Sequence, residues 1–335
     1  MSAKKRILTG DNTTGKLHIG HYVGSLENRV KLQDEYETFI ILADMHAYAY
    51  PKYVENPKVV SQSILEVAIG NLAVGLDPKK VTMYVESLIP EVFELALIFT
   101  MLVSHNRALR NPTIKDEIRE KQLGDNFSLG FLNFPVLMAA DILGVNADLV
   151  PVGEDQLPHI ELTREIARRF NHTYKPVFKE PEAKIGRIAR LVGLDGNAKM
   201  SKSLDNTIYL NEEDASLKKK IMSMYTDPNR LRATDKGTVE GNPVFIYHDA
   251  FNSNIEEVAD LKDRYEKGTV GDVEVKEKLF FAIKEFIEPI RERYFHYESN
   301  LDEVKDILQD GTARTRREVQ GVLNQVRDGM QLPLF

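Results

Sequence analysis

The 335-residue chain contains no cysteine. Disulfides, thiolate zinc sites, iron–sulfur clusters and thiol nucleophiles are therefore excluded together. Long apolar runs are missing as well: the longest, around 95–103, falls far short of the roughly 20 residues that a membrane span needs. The basic start Lys4-Lys5-Arg6 leads through Ile7-Leu8 into polar Thr9-Gly10, so no signal-peptide apolar core follows the charges. Positive charge is not in excess. With 44 Lys and Arg against 51 Asp and Glu the net charge is −7, which argues against a sequence-independent nucleic-acid coat but leaves room for a local basic surface. What is present is a globular composition, 42% hydrophobic, long enough at about 150 residues per domain for two domains. The expectation is a cytoplasmic protein.

The first half alternates short β-rich runs with helical stretches. Strands are predicted at 6–8, 38–43, 81–85 and 147–152, and helices at 20–34, 57–76, up to 103, and 157–170. The run Thr38-Phe39-Ile40-Ile41-Leu42-Ala43 is apolar without alternation, as a strand buried on both faces requires. Strands alternating with helices imply βαβ crossovers, hence an α/β fold with a doubly wound parallel sheet. The second half is helical and highly charged, clearest at 274–297 and 312–330, with no strand expected after 210. The boundary falls in the Gly- and Ser-rich stretch 193–205, giving domains 1–206 and 207–335, with the last helix packing back on the first domain.

Three motifs carry chemistry. The first, Gly10-Asp11-Asn12-Thr13-Thr14-Gly15-Lys16-Leu17-His18-Ile19-Gly20-His21, follows the first strand and opens the first helix, where backbone N–H groups and the helix dipole favour phosphate. His18 and His21 share a helix face, and Gly20 between them lets a flat base approach the backbone. Two histidines at a helix start are equally a cap and a surface residue, or a metal pair; the strand–loop–helix setting favours a nucleotide. The second motif, Lys199-Met200-Ser201-Lys202-Ser203, puts two lysines on a loop that can close over a phosphate chain and stabilise a pyrophosphate leaving group. Alone it reads as a solvated loop; about 180 residues after the first motif, it completes an adenylyl-transfer pair. The third, 150–164, places Gly153 and Asp155 beyond the carboxyl end of a strand, where α/β sheets bind ligands. Asp155 can accept from ribose hydroxyls, although an acidic helix N-terminus explains it as well.

Together these residues resemble the class I aminoacyl-tRNA synthetases: His18-Ile19-Gly20-His21 and Lys199–Ser203 look like the paired HIGH and KMSKS motifs. The run 150–164, preceded by Leu137-Met138-Ala139-Ala140-Asp141-Ile142-Leu143, is similar to the bacterial tryptophanyl-tRNA synthetase family, and the likeness covers nearly the whole chain. The resemblance implies a Rossmann-like, HUP-type catalytic domain with a helical anticodon-reading domain. It implies that tryptophan joins ATP as tryptophanyl-adenylate with pyrophosphate released, and then passes to tRNA(Trp). By similarity Asn12, His18, Gly20, His21, Gly153, Asp155 and Lys199, Met200, Ser201 and Lys202 bind ATP. Of these, His18, His21, Lys199 and Lys202 are catalytic, and Mg²⁺ is carried by the phosphates with no metal ligand from the protein. Asp141 is expected to accept the indole N–H beside Met138, with Val150 and Val152 lining the ring and His46, Phe134 and Gln156 near the polar end. Set in an apolar run, Asp141 needs a partner. Candidates for tRNA are Lys218, Lys219 and Lys220, Arg291 with Arg293, and Arg314, Arg316 and Arg317, and the family implies a homodimer. Three positions depart from the commoner pattern: Asn12 for Gln, His21 for Asn, and Phe134 for Tyr, so a hydrogen bond to the substrate amino group must come from elsewhere. A tyrosyl enzyme, a small-metabolite nucleotidylyltransferase and a non-catalytic RNA-binding module are the rivals.

Overall fold

The computed structural model describes residues 4–121, 123–124, 126–185, 191–196, 200, 204, 206–230, 232 and 234–333. Five strands, β1 (Arg6–Asn12), β2 (Glu37–Ala43), β3 (Val81–Val85), β4 (Leu149–Val152) and β5 (Glu182–Ile185), form one parallel sheet in the order β3-β2-β1-β4-β5. The order turns about β1, which has β2 on one side and β4 on the other, so a crevice opens beyond the carboxyl ends of β1 and β4. Every residue of β2 after Glu37 is buried, as its unbroken apolar run requires.

Each face of the sheet has its own core. On one, Leu17, Ile19 and Leu26 meet the helix Pro57–Ala73, and the same cluster continues without a break into Leu217, Phe245, Leu279 and Ile283 of the second half. On the other, Pro90–Thr100, Leu129–Gly144 and Leu157–Thr173 pack with Val319, Val322 and Val326 of the last helix, Leu301–Gly329. That helix lies across β3. Gly311 is pressed so close that a Cβ there would stand 1.9 Å from the Met83 carbonyl oxygen. The neighbouring Thr312 Oγ1 accepts from the Val85 N–H at 3.3 Å. Arg316 and Arg327 then pair with Glu91 and Glu94 at 2.8 and 2.6 Å.

Several predicted elements need adjusting. β1 runs on to Asn12, and the expected helix over 20–34 is a short α-turn, a π-turn at Tyr22–Leu26 and an α-helix at Glu27–Leu32. β5 is an edge strand of four residues, Glu-Ala-Lys-Ile, too short and polar to stand out as an apolar run. Beyond 206 the described residues form helices, including Asp272–Ser299 and Leu301–Gly329, which only Asn300 separates. No described helix is long and apolar enough to cross a membrane.

Candidate active site

The first and second motifs meet. A Cβ on residue 20 would stand 2.9 Å from the His18 ring and 2.9 Å from Met200 Sδ, so the absence of a side chain at Gly20 is what lets the second motif seat against the first. Met200 is buried in the same core cluster as Leu17 and Ile19. The chain that follows is stitched to the first motif as well. The Ile19 N–H donates to the Ile208 carbonyl at 3.0 Å and the Leu210 N–H to the Leu17 carbonyl at 3.2 Å, with His18 and Tyr209 bridged antiparallel. Lys199, Ser201, Lys202 and Ser203 lie outside the described residues. His21 folds back on the turn, its Nδ1 accepting from the His18 N–H at 3.1 Å, with the two rings 3.8 Å apart.

The floor of this loop is a buried ion pair that the sequence reading did not find. Arg29 donates to both oxygens of Asp11, at 2.5 and 3.0 Å, to the Gly10 carbonyl at 2.7 Å and to Asn71 Oδ1 at 3.0 Å. Burial works to raise the Asp11 pKa, but the Arg29 guanidinium outweighs it and holds the carboxyl below the usual range. Asn12, the next residue, is thereby fixed at the rim of the crevice.

A cavity of about 380 Å³ opens there. Asn12 and Gly153 line it with Gly24, Ser25 and Asn28, and so do all seven residues expected around the amino acid: His46, Phe134, Met138, Asp141, Val150, Val152 and Gln156. His18, His21 and Asp155 are not among its described lining residues. Asp155 sits in the turn Glu154–Gln156, where its carbonyl accepts from Thr113 Oγ1 at 2.7 Å.

Asp141 is 3% exposed at the base of this cavity. Its Oδ2 lies 3.0 Å from His46 Nε2, and its Oδ1 has no hydrogen-bond partner among the described residues. Burial, reinforced by the Asp44 carboxylate, pushes its pKa well above the carboxylate range. Behind His46 stands Glu86, also buried, 3.7 Å from the same nitrogen and pushed up to about 8 by burial, with His46 opposing and Asp141 and Asp44 adding. Two crossed bonds fix this corner: the Met45 N–H donates to Glu86 Oε2 at 3.2 Å and the Ser87 N–H to Asp44 Oδ1 at 3.0 Å, tying the ends of β2 and β3 together. An acidic residue directly after a strand of a parallel sheet was the available signal for Glu86. Phe134 offers rings rather than a hydroxyl, edge-on to His46 at 6.3 Å and to His159 at 5.2 Å. Burial and then His46 drive the His159 pKa down to about 4.

His46, Glu86 and Asp141 bring three metal-type ligand atoms within 4.8 Å of one another. With an imidazole as one of the three ligands and all three residues largely buried, the set suits Mg²⁺ poorly, since that ion demands near-octahedral oxygen and keeps several waters.

The basic candidates divide. Lys220 pairs with Glu212 at 2.8 Å, Arg291 with Asp214 at 2.6 Å, Arg314 with Asp310 at 3.0 Å and Arg316 with Glu91, while Arg293 donates to the Ala73 carbonyl at 2.5 Å. Lys218, Lys219 and Arg317 are exposed, Lys218 over the Phe280 ring.

Residues 2–288 match the family described as tRNA synthetases class I (W and Y). A tryptophan–tRNA ligase of Borreliella burgdorferi is 51% identical over 97% of this chain and 93% of its own length. The enzyme of the same name from Streptococcus pneumoniae is 48% identical over 99% of both. Among solved structures, the tryptophanyl-tRNA synthetase of Campylobacter jejuni complexed with ADP and tryptophan superposes with a TM-score of 0.86 at 32% identity, covering 98% of this chain and 100% of that one. Fold, motif geometry and relatives agree, and the chain belongs to the class I tRNA synthetases (W and Y).

Proposed function

We infer that this chain is a tryptophan–tRNA ligase: it activates L-tryptophan with ATP and transfers it to tRNA(Trp). The carrying observation is Asp141, a buried carboxyl with one oxygen unpartnered among the described residues, between Met138, Val150 and Val152 in a cavity that continues to the nucleotide loop. An indole N–H donated to Oδ1 satisfies that atom and favours the ionised carboxylate, while the apolar walls take the ring. A tryptophan carboxylate oxygen attacks the α-phosphorus of ATP, and the bond to pyrophosphate breaks. A ribose hydroxyl of the tRNA terminal adenosine then attacks the activated carbonyl, and AMP leaves. Such chemistry is positioning and charge stabilisation. His18, Gly20 and His21 hold base and phosphates, Asn12 and Gly153 border the nucleotide, Asp155 takes the ribose, and Lys199 and Lys202 neutralise the departing pyrophosphate. Magnesium enters as part of the ATP substrate.

In this reading residues 1–206 are catalytic and 207–335 present Lys218, Lys219 and Arg317 to the anticodon arm, in the cytoplasm where charged tRNA is used. A homodimer is supported by Leu97 on the helix Pro90–Thr100 and Met101 just past its end, 60% and 68% exposed, on a helix whose other face is core.

ATP–pyrophosphate exchange tests the reading. Tryptophan should drive exchange and tyrosine should not, and Asp141→Ala should abolish it in a protein that still folds. Exchange that persists in Asp141→Ala removes Asp141 from the pocket.

A further inference from the structure

No carboxylate assigned so far pairs with the substrate's α-ammonium, and a buried ammonium needs an anion. Three carboxylates line the cavity among its described residues: Asp11, Asp141 and Glu117. The charge of Asp11 is already matched by Arg29 and Asn71. Asp141 lies among the apolar residues with Oδ2 against His46 and Oδ1 given to the indole, so neither oxygen is left for the ammonium.

Glu117 differs. It sits on the helix Pro112–Glu120, whose first turn is fastened to the Glu154–Gln156 turn by Thr113, so it borders the end of the cavity where Gln156 stands. Its side chain is 20% exposed, enough shelter for a charge to matter and enough access for a ligand to reach it. Tyr50 OH donates to its Oε2 at 2.5 Å and Lys121 reaches the same oxygen at 3.2 Å; Oε1 takes neither bond. Burial and Glu117 both push the Tyr50 hydroxyl up, so it stays a donor. A row of rings joins this pair to the indole end: Tyr50 on Phe131 at 5.9 Å, Phe131 on Phe134 at 5.8 Å, Phe134 on His46 at 6.3 Å, and His46, expected near the polar end, stands instead against Asp141. One carboxyl group thus stands at each end of a row of rings, of which Tyr50, Phe134 and His46 line the cavity and Phe131 backs them, and Phe134 has no hydroxyl to offer.

We propose that Glu117, oriented by Tyr50, binds the α-ammonium of the amino-acid substrate through Oε1. The proposal rests on the tryptophan reading. Asp141 reads the ring and Glu117 reads the ammonium, so the site measures a free amino acid from both ends.

The chain contains no tryptophan, so under excitation too long in wavelength for its 13 tyrosines the emission comes from the indole ligand, and its change on binding can be followed on the whole protein. The ligands are L-tryptophan and indole-3-propionate, which keeps ring and carboxylate but lacks the ammonium. Glu117→Gln should weaken tryptophan about 10- to 100-fold, the range of a charge-assisted contact. It should leave indole-3-propionate within about twofold of wild type, a difference at the level of experimental scatter. Tyr50→Phe should show the same selectivity with a smaller loss. Equal weakening of both ligands, or tryptophan affinity unchanged in Glu117→Gln, overturns the assignment. Loss confined to Glu117→Gln leaves Glu117 as the anchor and removes only Tyr50's orienting part. Wild type that binds the propionate and tryptophan equally refutes an ammonium anchor, whereas wild type that binds neither refutes the tryptophan reading itself.

Discussion

Glu86 shows what a single side chain adds here. Its pKa of about 8 in the fold stands above the ordinary 4.5, so the folded protein holds a proton that the unfolded chain has released. Stability from this source is full below about pH 4.5 and is lost as pH rises toward 8. His159, lowered from 6.5 to about 4, acts the opposite way: its contribution is present above 6.5 and lost on acidification. Between about pH 6.5 and 8 only the first effect of the two operates, with Asp141 pulling the same way. Thermal unfolding at pH 6.5 and 8 should therefore show a fall in wild-type Tm that is smaller in Glu86→Gln; equal slopes would contradict the buried-acid account. The burial of Asp141 was legible because it breaks an apolar run, whereas the places of Asp11, Arg29, Glu117 and Tyr50 were not. Nothing local in the sequence says that residues 18 positions apart form an ion pair, or that a helix around 117 turns toward the cavity. Those are products of tertiary packing.

Among the elements, the turn at 18–21 carries the heaviest demand. Gly20→Ala places a methyl group 2.9 Å from the His18 imidazole and 2.9 Å from Met200 Sδ. The methionine end can yield; the ring cannot without leaving its position. Adenylation should fall about tenfold or more with KM for ATP raised, while tryptophan binding followed by fluorescence stays unchanged. If both ligands weaken alike, Gly20 matters to the fold and not to nucleotide seating. Sequence reading located β1 to β4 because their apolar runs are unmistakable, and missed β5 because an edge strand of Glu, Ala, Lys and Ile has almost no apolar signature. It also ran a plain helix through 20–34; a π-turn has no pattern of its own.

Across the molecule, the sheet is held between two cores, and chain from the far end completes both of them. Gly311→Ala tests that closure, since its methyl would overlap the Met83 carbonyl and force the last helix off β3. We expect a loss of about 2 kcal/mol or more in urea unfolding, the cost of overpacking a rigid contact. An unchanged midpoint would mean the helix docks loosely. The α/β class, the helical second half and a last helix returning to the first domain were all expected from the sequence; that the second half also continues the core on the opposite face of the sheet was not, because composition shifts mark where chemistry changes and say little about which surfaces touch. The backbone bonds from Ile19 to Ile208 and from Leu210 to Leu17 carry this further. They make the turn at 18–21 depend on a splint of residues encoded about 190 positions later. A recombinant that borrowed its rear portion from a distant cousin would inherit someone else's splint, so evolution can tinker with the two halves only in step.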